Sequence, residues 1–308
     1  MYDRPKTLGR PPRSPGRAAR WRLAVCGAVA GLLVTACGGG HGAPRAVGRP
    51  VHQLQIVASA YPLAQLAQYL GGKYVQVTDL APAVVQPQAM ALSSRQATLV
   101  HHAGLVVVVG DGYQPAVEDA AAHARLHIAL LPAVSAQALP YEFWLDPTLM
   151  GTAAKVLAAS MSKADPAGAN QFGNGARDME SVTSSLSSDL QSNLANCAKK
   201  DFVTEDGAFG RMAAAFGLHD VAISSAGASK AAALVRRQNL PVVFAEAGTG
   251  NGDVEQVAAM TGAGVKTLDP MEVAPPPGTR PMSYFAVMEE DLSYLQAGLS
   301  CDTSANFS

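Results

Sequence analysis

Leu105-Val106-Val107-Val108-Val109-Gly110 is a strand-length run with no polar face. A strand apolar on both sides belongs in the middle of a parallel sheet covered by helices above and below. Working outward, Ser93 to Val100 has helical character, Val75-Gln76-Val77 reads as a strand, and Tyr61 to Leu70 spaces Leu63, Leu66, Ala67 and Leu70 along one helical face. Gly71-Gly72 stops that helix, and Gln55-Ile56-Val57-Ala58 supplies a strand before it. Strands alternating with helices of this length make βαβ units. Downstream, 147–197 carries no strand signal, only two helical stretches parted by Ala164-Asp165-Pro166. The second, Ala167 to Asn196, is rich in Gly and Ser, so packing rather than propensity must hold it. Strand signals then return at Phe202-Val203-Thr204, Val221-Ala222-Ile223, Pro241 to Ala245 and Val265 to Leu268, with helices at Ala208 to Phe216, Val254 to Thr261 and Met282 to Leu299. The predicted fold class is α/β: two lobes with parallel sheets flanked by helices, joined by one long linking helix. The expected boundaries are 54–165 for the N-terminal lobe, 166–198 for the linking helix and 199–308 for the C-terminal lobe.

The N-terminus points to a compartment. Seven of the 23 basic residues (Arg4, Lys6, Arg10, Arg13, Arg17, Arg20, Arg22) precede Leu23, against one acid, Asp3. A short apolar run from Leu23 to Val34 follows, about half of what a membrane-crossing helix needs, and then Leu33-Val34-Thr35-Ala36-Cys37. This is the pattern of a lipoprotein signal peptide over 1–36, with Cys37 the acylated new N-terminus and 37–53 a Gly/Pro-rich tether. Each buried methylene contributes ~0.8 kcal/mol, so two or three acyl chains, palmitate among them, anchor firmly. The expected location is extracytoplasmic, held to the cell membrane by that lipid. Past residue 36 the chain keeps 16 basic and 23 acidic side chains, a net charge of −7 without a basic stripe, which argues against nucleic acid as partner. Cys197 and Cys301 remain as an even pair in an oxidising compartment, where a disulfide is expected.

Several short motifs then line up in order: Val57-Ala58 with Pro62-Leu63, Gly71-Gly72 ahead of a strand, Trp144-Leu145-Asp146-Pro147 before the helical middle, Ala208-Phe209-Gly210, Phe216-Gly217-Leu218, Phe244-Ala245-Glu246 and Thr267-Leu268-Asp269-Pro270. Over about residues 54 to 301 the chain thereby resembles the zinc/manganese solute-binding lipoproteins of ABC importers. The resemblance implies a divalent metal ion as transported ligand in a cleft between two lobes, a membrane ABC permease as partner, and a monomer.

Where that family places metal-binding imidazoles, this sequence has none. The position after the proline of the loop following the second strand is Gln88, in Gln86-Pro87-Gln88; the position two residues before the tryptophan is Glu142; the position before the small residue of the Ala208-Phe209 motif is Asp206; and the aspartate before the late proline is Asp269. The expected ligand set is therefore Gln88, Glu142, Asp206 and Asp269, all oxygen donors at the ends of strands or motifs. Zinc favours imidazole and thiolate, whereas carboxylate and amide oxygens suit manganese, magnesium or calcium. Oxygen donors thus favour Mn²⁺, and the family favours Zn²⁺. Three carboxylates held together without a cation repel, and one or more pKa values rise.

Rival signals are weaker. Gly248-Thr249-Gly250-Asn251-Gly252 echoes a dinucleotide-binding loop but has the wrong glycine spacing. His123 and His127 have the i,i+4 spacing of a chelating pair on one helical face. No nucleophile elbow, H-E-x-x-H or P-loop is present, so no enzyme is expected, although Glu142 and Asp206 could pair as acid and base. The competing expectation is a degenerate metal site in an adhesin, an accessory surface lipoprotein or a binder of another small solute.

Overall fold

The structure, a computed structural model, describes residues 52–81, 89–135, 137, 139–275 and 282–301. The signal peptide, Cys37, nearly all of the tether and Gln88 lie outside the described residues. In chain order the elements are β1 (Leu54–Ala58), α1 (Tyr61–Gly71), β2 (Val75–Asp79), α2 (Ser94–His102), β3 (Leu105–Val108), α3 (Pro115–Ala122), β4 (His127–Ala129), α4 (Leu131–Val134), α5 (Pro147–Ala164), α6 (Ala169–Ala195), β5 (Asp201–Thr204), α7 (Gly210–Ala215), β6 (His219–Ala222), α8 (Ile223–Ala226), α9 (Ala228–Gln238), β7 (Val242–Glu246), α10 (Gly252–Thr261), β8 (Gly264–Leu268) and α11 (Tyr284–Gly298).

β3 sits inside a four-stranded parallel sheet of order β2-β1-β3-β4. Its side chains alternate between two cores. Leu105 and Val107 join Ile56, Leu63, Leu66, Leu157 and Phe172 on one face, while Val106 and Val108 meet Val57, Val100, Val117 and Ala121 on the other. That two-sided burial is why the run carries no polar residue. In the second lobe β5 pairs with β6 and β7 with β8, each pair parallel, and β5 runs beside β7. Phe202 and Phe244 turn into the large shared core, and Val203, Val243 and Ala245 into a smaller one with Val254 and Val257.

The long helix forms for the reason its composition demands. In α6 the residues Phe172, Gly175, Ala176, Met179, Thr183, Leu186, Leu190 and Leu194 are buried at three- and four-residue intervals, a continuous stripe against α5 and α1. Its serine and threonine hydroxyls donate to carbonyls one turn back (Thr183 to Met179, 2.8 Å; Ser185 to Ser181, 3.2 Å; Ser188 to Ser184, 3.1 Å). Gly175 is needed because a Cβ there would stand 2.9 Å from the Leu70 backbone. Among the described residues no helix is long and apolar enough to cross a membrane. At the end of α6, Cys197 is bonded to Cys301 beyond α11, with S–S 1.96 Å.

The structure adds α3, β4, α4, α8 and α9 to the elements read from sequence, and it corrects one reading. His123 is the C-terminal cap of α3, and His127 opens β4, so the two do not share a helical face.

Candidate metal centre

Parallel strands deliver their C-terminal ends, and the loops after them, to one edge where ligands commonly bind. Four loops matter here. The loop after β3 carries Tyr113, the segment before α5 carries Glu142 and Trp144, the loop after β5 carries Asp206, and the loop after β8 carries Asp269 and Glu272. Glu246 is the last residue of β7.

Trp144-Leu145-Asp146-Pro147 is a helix-start device. Asp146 caps α5 by accepting from the Thr148 N–H at 2.8 Å, and Pro147 opens the first turn, where its missing N–H costs nothing. Trp144 is fully buried. Its indole N–H donates to the Pro270 carbonyl at 2.8 Å, and its own carbonyl accepts from the Tyr284 hydroxyl at 2.8 Å. These two bonds tie the segment bearing Glu142 to the loop after β8.

That tie places Glu142 beside Glu272. Each is 5% exposed, and the Tyr113 hydroxyl lies 3.5 Å from Glu272 Oε1. Burial first, and then the neighbouring Glu272 and Asp206, push the Glu142 carboxyl up to about 9. On the C-lobe side Glu246, 1% exposed, accepts from the backbone N–H groups of Asp206 (3.1 Å) and Gly207 (3.3 Å) through Oε1. Burial and the Asp206 side chain push Glu246 up to about 10. Asp220 accepts from the Thr204 hydroxyl at 2.6 Å, and burial raises it to about 7. The nearby buried cation is committed elsewhere: Arg211 donates to the Pro140 and Gln137 carbonyls and to Ser135 Oγ at 3.1 Å, bracing the segment that leads into Glu142. Its charge still acts on Glu142.

Of the four residues expected as ligands, the structure brings Glu142 and Asp206 within mutual influence, and Gln88 lies outside the described residues. Asp269 makes contacts of its own. Its Oδ1 accepts from the Met271 N–H at 2.8 Å, its N–H donates to Asp291, and it lines an apolar cleft with Tyr61 and Met150. Met271, at φ +56°, makes the left-handed turn that separates Asp269 from Glu272. Glu272 and Glu246 were not anticipated. Phe244-Ala245-Glu246 was on view as a motif, and the signal was a charged residue ending an otherwise apolar strand. Among the described residues no three His, Cys, Asp or Glu side chains stand close enough together to hold a metal ion. Glu142 stands against Glu272, and Asp206 against Glu246.

Residues 56–298 match the family described as zinc-uptake complex component A, periplasmic. The chain belongs to that family. Among its relatives, the zinc-binding protein AdcA of Streptococcus pyogenes is 25% identical over 234 residues, which cover 72% of this chain and 45% of AdcA, so the chain spans about half the length of that relative. The high-affinity zinc uptake system protein ZnuA of Bacillus subtilis is 21% identical, with 87% of this chain and 94% of that one aligned. Among solved structures, the laminin-binding protein of Streptococcus agalactiae, described as bifunctional with adhesin and metal-transporting activity, superposes with a TM-score of 0.73 at 21% identity, covering 80% of this chain and all of that one. At that identity the superposition speaks for the fold. The zinc-uptake family is one of extracytoplasmic metal-binding components of importers, and its two-lobed α/β architecture is the one seen here.

Proposed function

We propose that the chain captures a divalent cation between its lobes and delivers it to an ABC permease in the membrane to which its lipidated Cys37 anchors it as a monomer. The observation that carries this reading is the pair Glu142 and Glu272, two buried carboxyls supplied by different lobes, with Asp206 and Glu246 close by. Buried like-charged carboxyls are costly unless protonated or bridged by a cation. In this reading a cation displaces their protons and draws the acids inward, Gln88 assists, and Glu272 takes the part expected of Asp269. No catalytic step is assigned to any of these groups. Oxygen donors without imidazole favour manganese over zinc, against the preference in the relatives' names.

Thermal unfolding of the mature chain with Mn²⁺, Zn²⁺, Mg²⁺ and Ca²⁺ tests it. A cation at a hundred times its dissociation constant stabilises by about 2.7 kcal/mol. The expected result is a rise with Mn²⁺, less with Zn²⁺, and loss of the rise in Glu142→Gln. A flat response to all four ions would remove the cation-capture reading.

A further inference from the structure

We propose that the apolar cleft lined by Asp269 is a second binding site, which takes a small organic cation: an apolar body bearing one protonated amine.

The cleft encloses about 370 Å³, within the range of small-molecule pockets. It lies between the lobes, where Tyr61 and Gln65 of α1 and Met150 of α5 face Met271, Tyr284 and Val287. One ionisable carboxyl, Asp269, stands in this lining, and among the described residues no lysine, arginine or histidine joins it. Behind it Asp291, 3% exposed, accepts from the Asp269 N–H at 3.0 Å, and among the described residues its Oδ2 has no hydrogen-bond partner. Neither acid forms an ion pair among the described residues. Asp269 is thus the carboxyl that a ligand in this cleft meets, and no basic side chain among the described residues neutralises it.

The lining selects the kind of cation. A bare divalent ion needs four or more donor atoms, and a single carboxylate among methionine and aromatic side chains does not supply them. An organic ammonium needs one carboxylate, aromatic faces and apolar area. Tyr61 and Tyr284 offer rings to its charge, and the thioethers of Met150 and Met271 adapt to the shape of its body.

The test uses the full mature chain and two isosteric probes, 2-phenylethylamine and 2-phenylethanol, titrated by ligand-observed NMR at neutral pH. The amine is expected to bind saturably and more tightly than the alcohol. Asp269→Asn, which keeps the oxygen that accepts from Met271, should weaken the amine by about tenfold, the size of one lost charged contact, and leave the alcohol within about twofold. Gln65→Trp, a half-buried helix position facing the cleft, should abolish both while the stabilisation by Mn²⁺ or Zn²⁺ persists. Equal binding of the two probes, no binding of either, or an amine affinity unchanged by Asp269→Asn would overturn the proposal. Because the cation response and the amine titration are read separately, failure of one leaves the other standing.

Discussion

The acid cluster and the apolar cleft are built from neighbouring loops yet have opposite character. In the first, Glu142, Glu272, Asp206 and Glu246 set carboxyl against carboxyl; in the second, Asp269 lines a pocket with tyrosines and methionines, with Asp291 behind it. The loop after β8 feeds both, sending Asp269 one way and Glu272 the other, three residues apart, around the left-handed Met271. Sequence position near a motif therefore does not decide which cavity a side chain enters. A single backbone turn, held by the Trp144 N–H on the Pro270 carbonyl and the Asp269 carboxyl on the Met271 N–H, makes the division.

Removing Trp144 gives the largest effect. Trp144→Ala deletes a fully buried indole and should cost about 3–5 kcal/mol in denaturant unfolding. Trp144→Phe keeps most of the bulk but strands the Pro270 carbonyl, costing about 1–3 kcal/mol. If the Trp144 bonds to Pro270 and Tyr284 link the two sites, Trp144→Phe should weaken both the divalent-cation response and amine binding. A change in one alone would mean that the sides are held independently.

Opening the disulfide comes next. It joins residues 104 apart in sequence and holds the end of α11, whose first turns line the cleft, to the end of α6. Cys197→Ser with Cys301→Ser should cost about 2–4 kcal/mol. The loss should loosen the amine side while sparing the cation response, since no acid of the cluster sits on α11.

The fold was legible because burial is written in periodicity. The run at Leu105 demanded two covered faces, the stripe in α6 gave a long helix despite its serines, and Asp146-Pro147 announced the start of α5. The candidate site was legible only in part. Glu142 and Asp206 follow from position within motifs, and the location of Asp206 just past the C-terminal end of β5 follows from βαβ topology. Glu272 was not legible, because nothing in Asp269-Pro270-Met271-Glu272 reveals that Met271 takes a positive φ. Glu246 looked like the end of a strand, and its role depends on meeting the Asp206 and Gly207 amides 40 and 39 residues away in sequence. β4 was missed because three residues are too few to show a period.

The smallest effect is one of pH, and it separates the two sides most sharply. Burial and Glu272 raise the Glu142 carboxyl from an ordinary value near 4.5 to about 9, so the folded chain binds its proton more tightly than the unfolded chain does. A raised carboxyl contributes stability that is complete below the unfolded value and is lost as pH climbs through the folded one. The cation-free protein should therefore lose stability between about pH 5 and pH 9. Glu142→Gln cannot ionise, so it should match the parent near the acid end and exceed it at the alkaline end, by on the order of 1–2 kcal/mol. Asp269, raised mainly by burial and then by Glu290 while its Oδ1 accepts from Met271, has no carboxyl partner of the Glu142–Glu272 kind. Asp269→Asn should flatten the pH profile less than Glu142→Gln does. Saturating divalent cation should restore the parent's alkaline stability through the acid cluster and leave the Asp269→Asn difference unchanged. Equal flattening by the two variants would mean that the two carboxyls feel the same field, and the contrast between cluster and cleft would be lost.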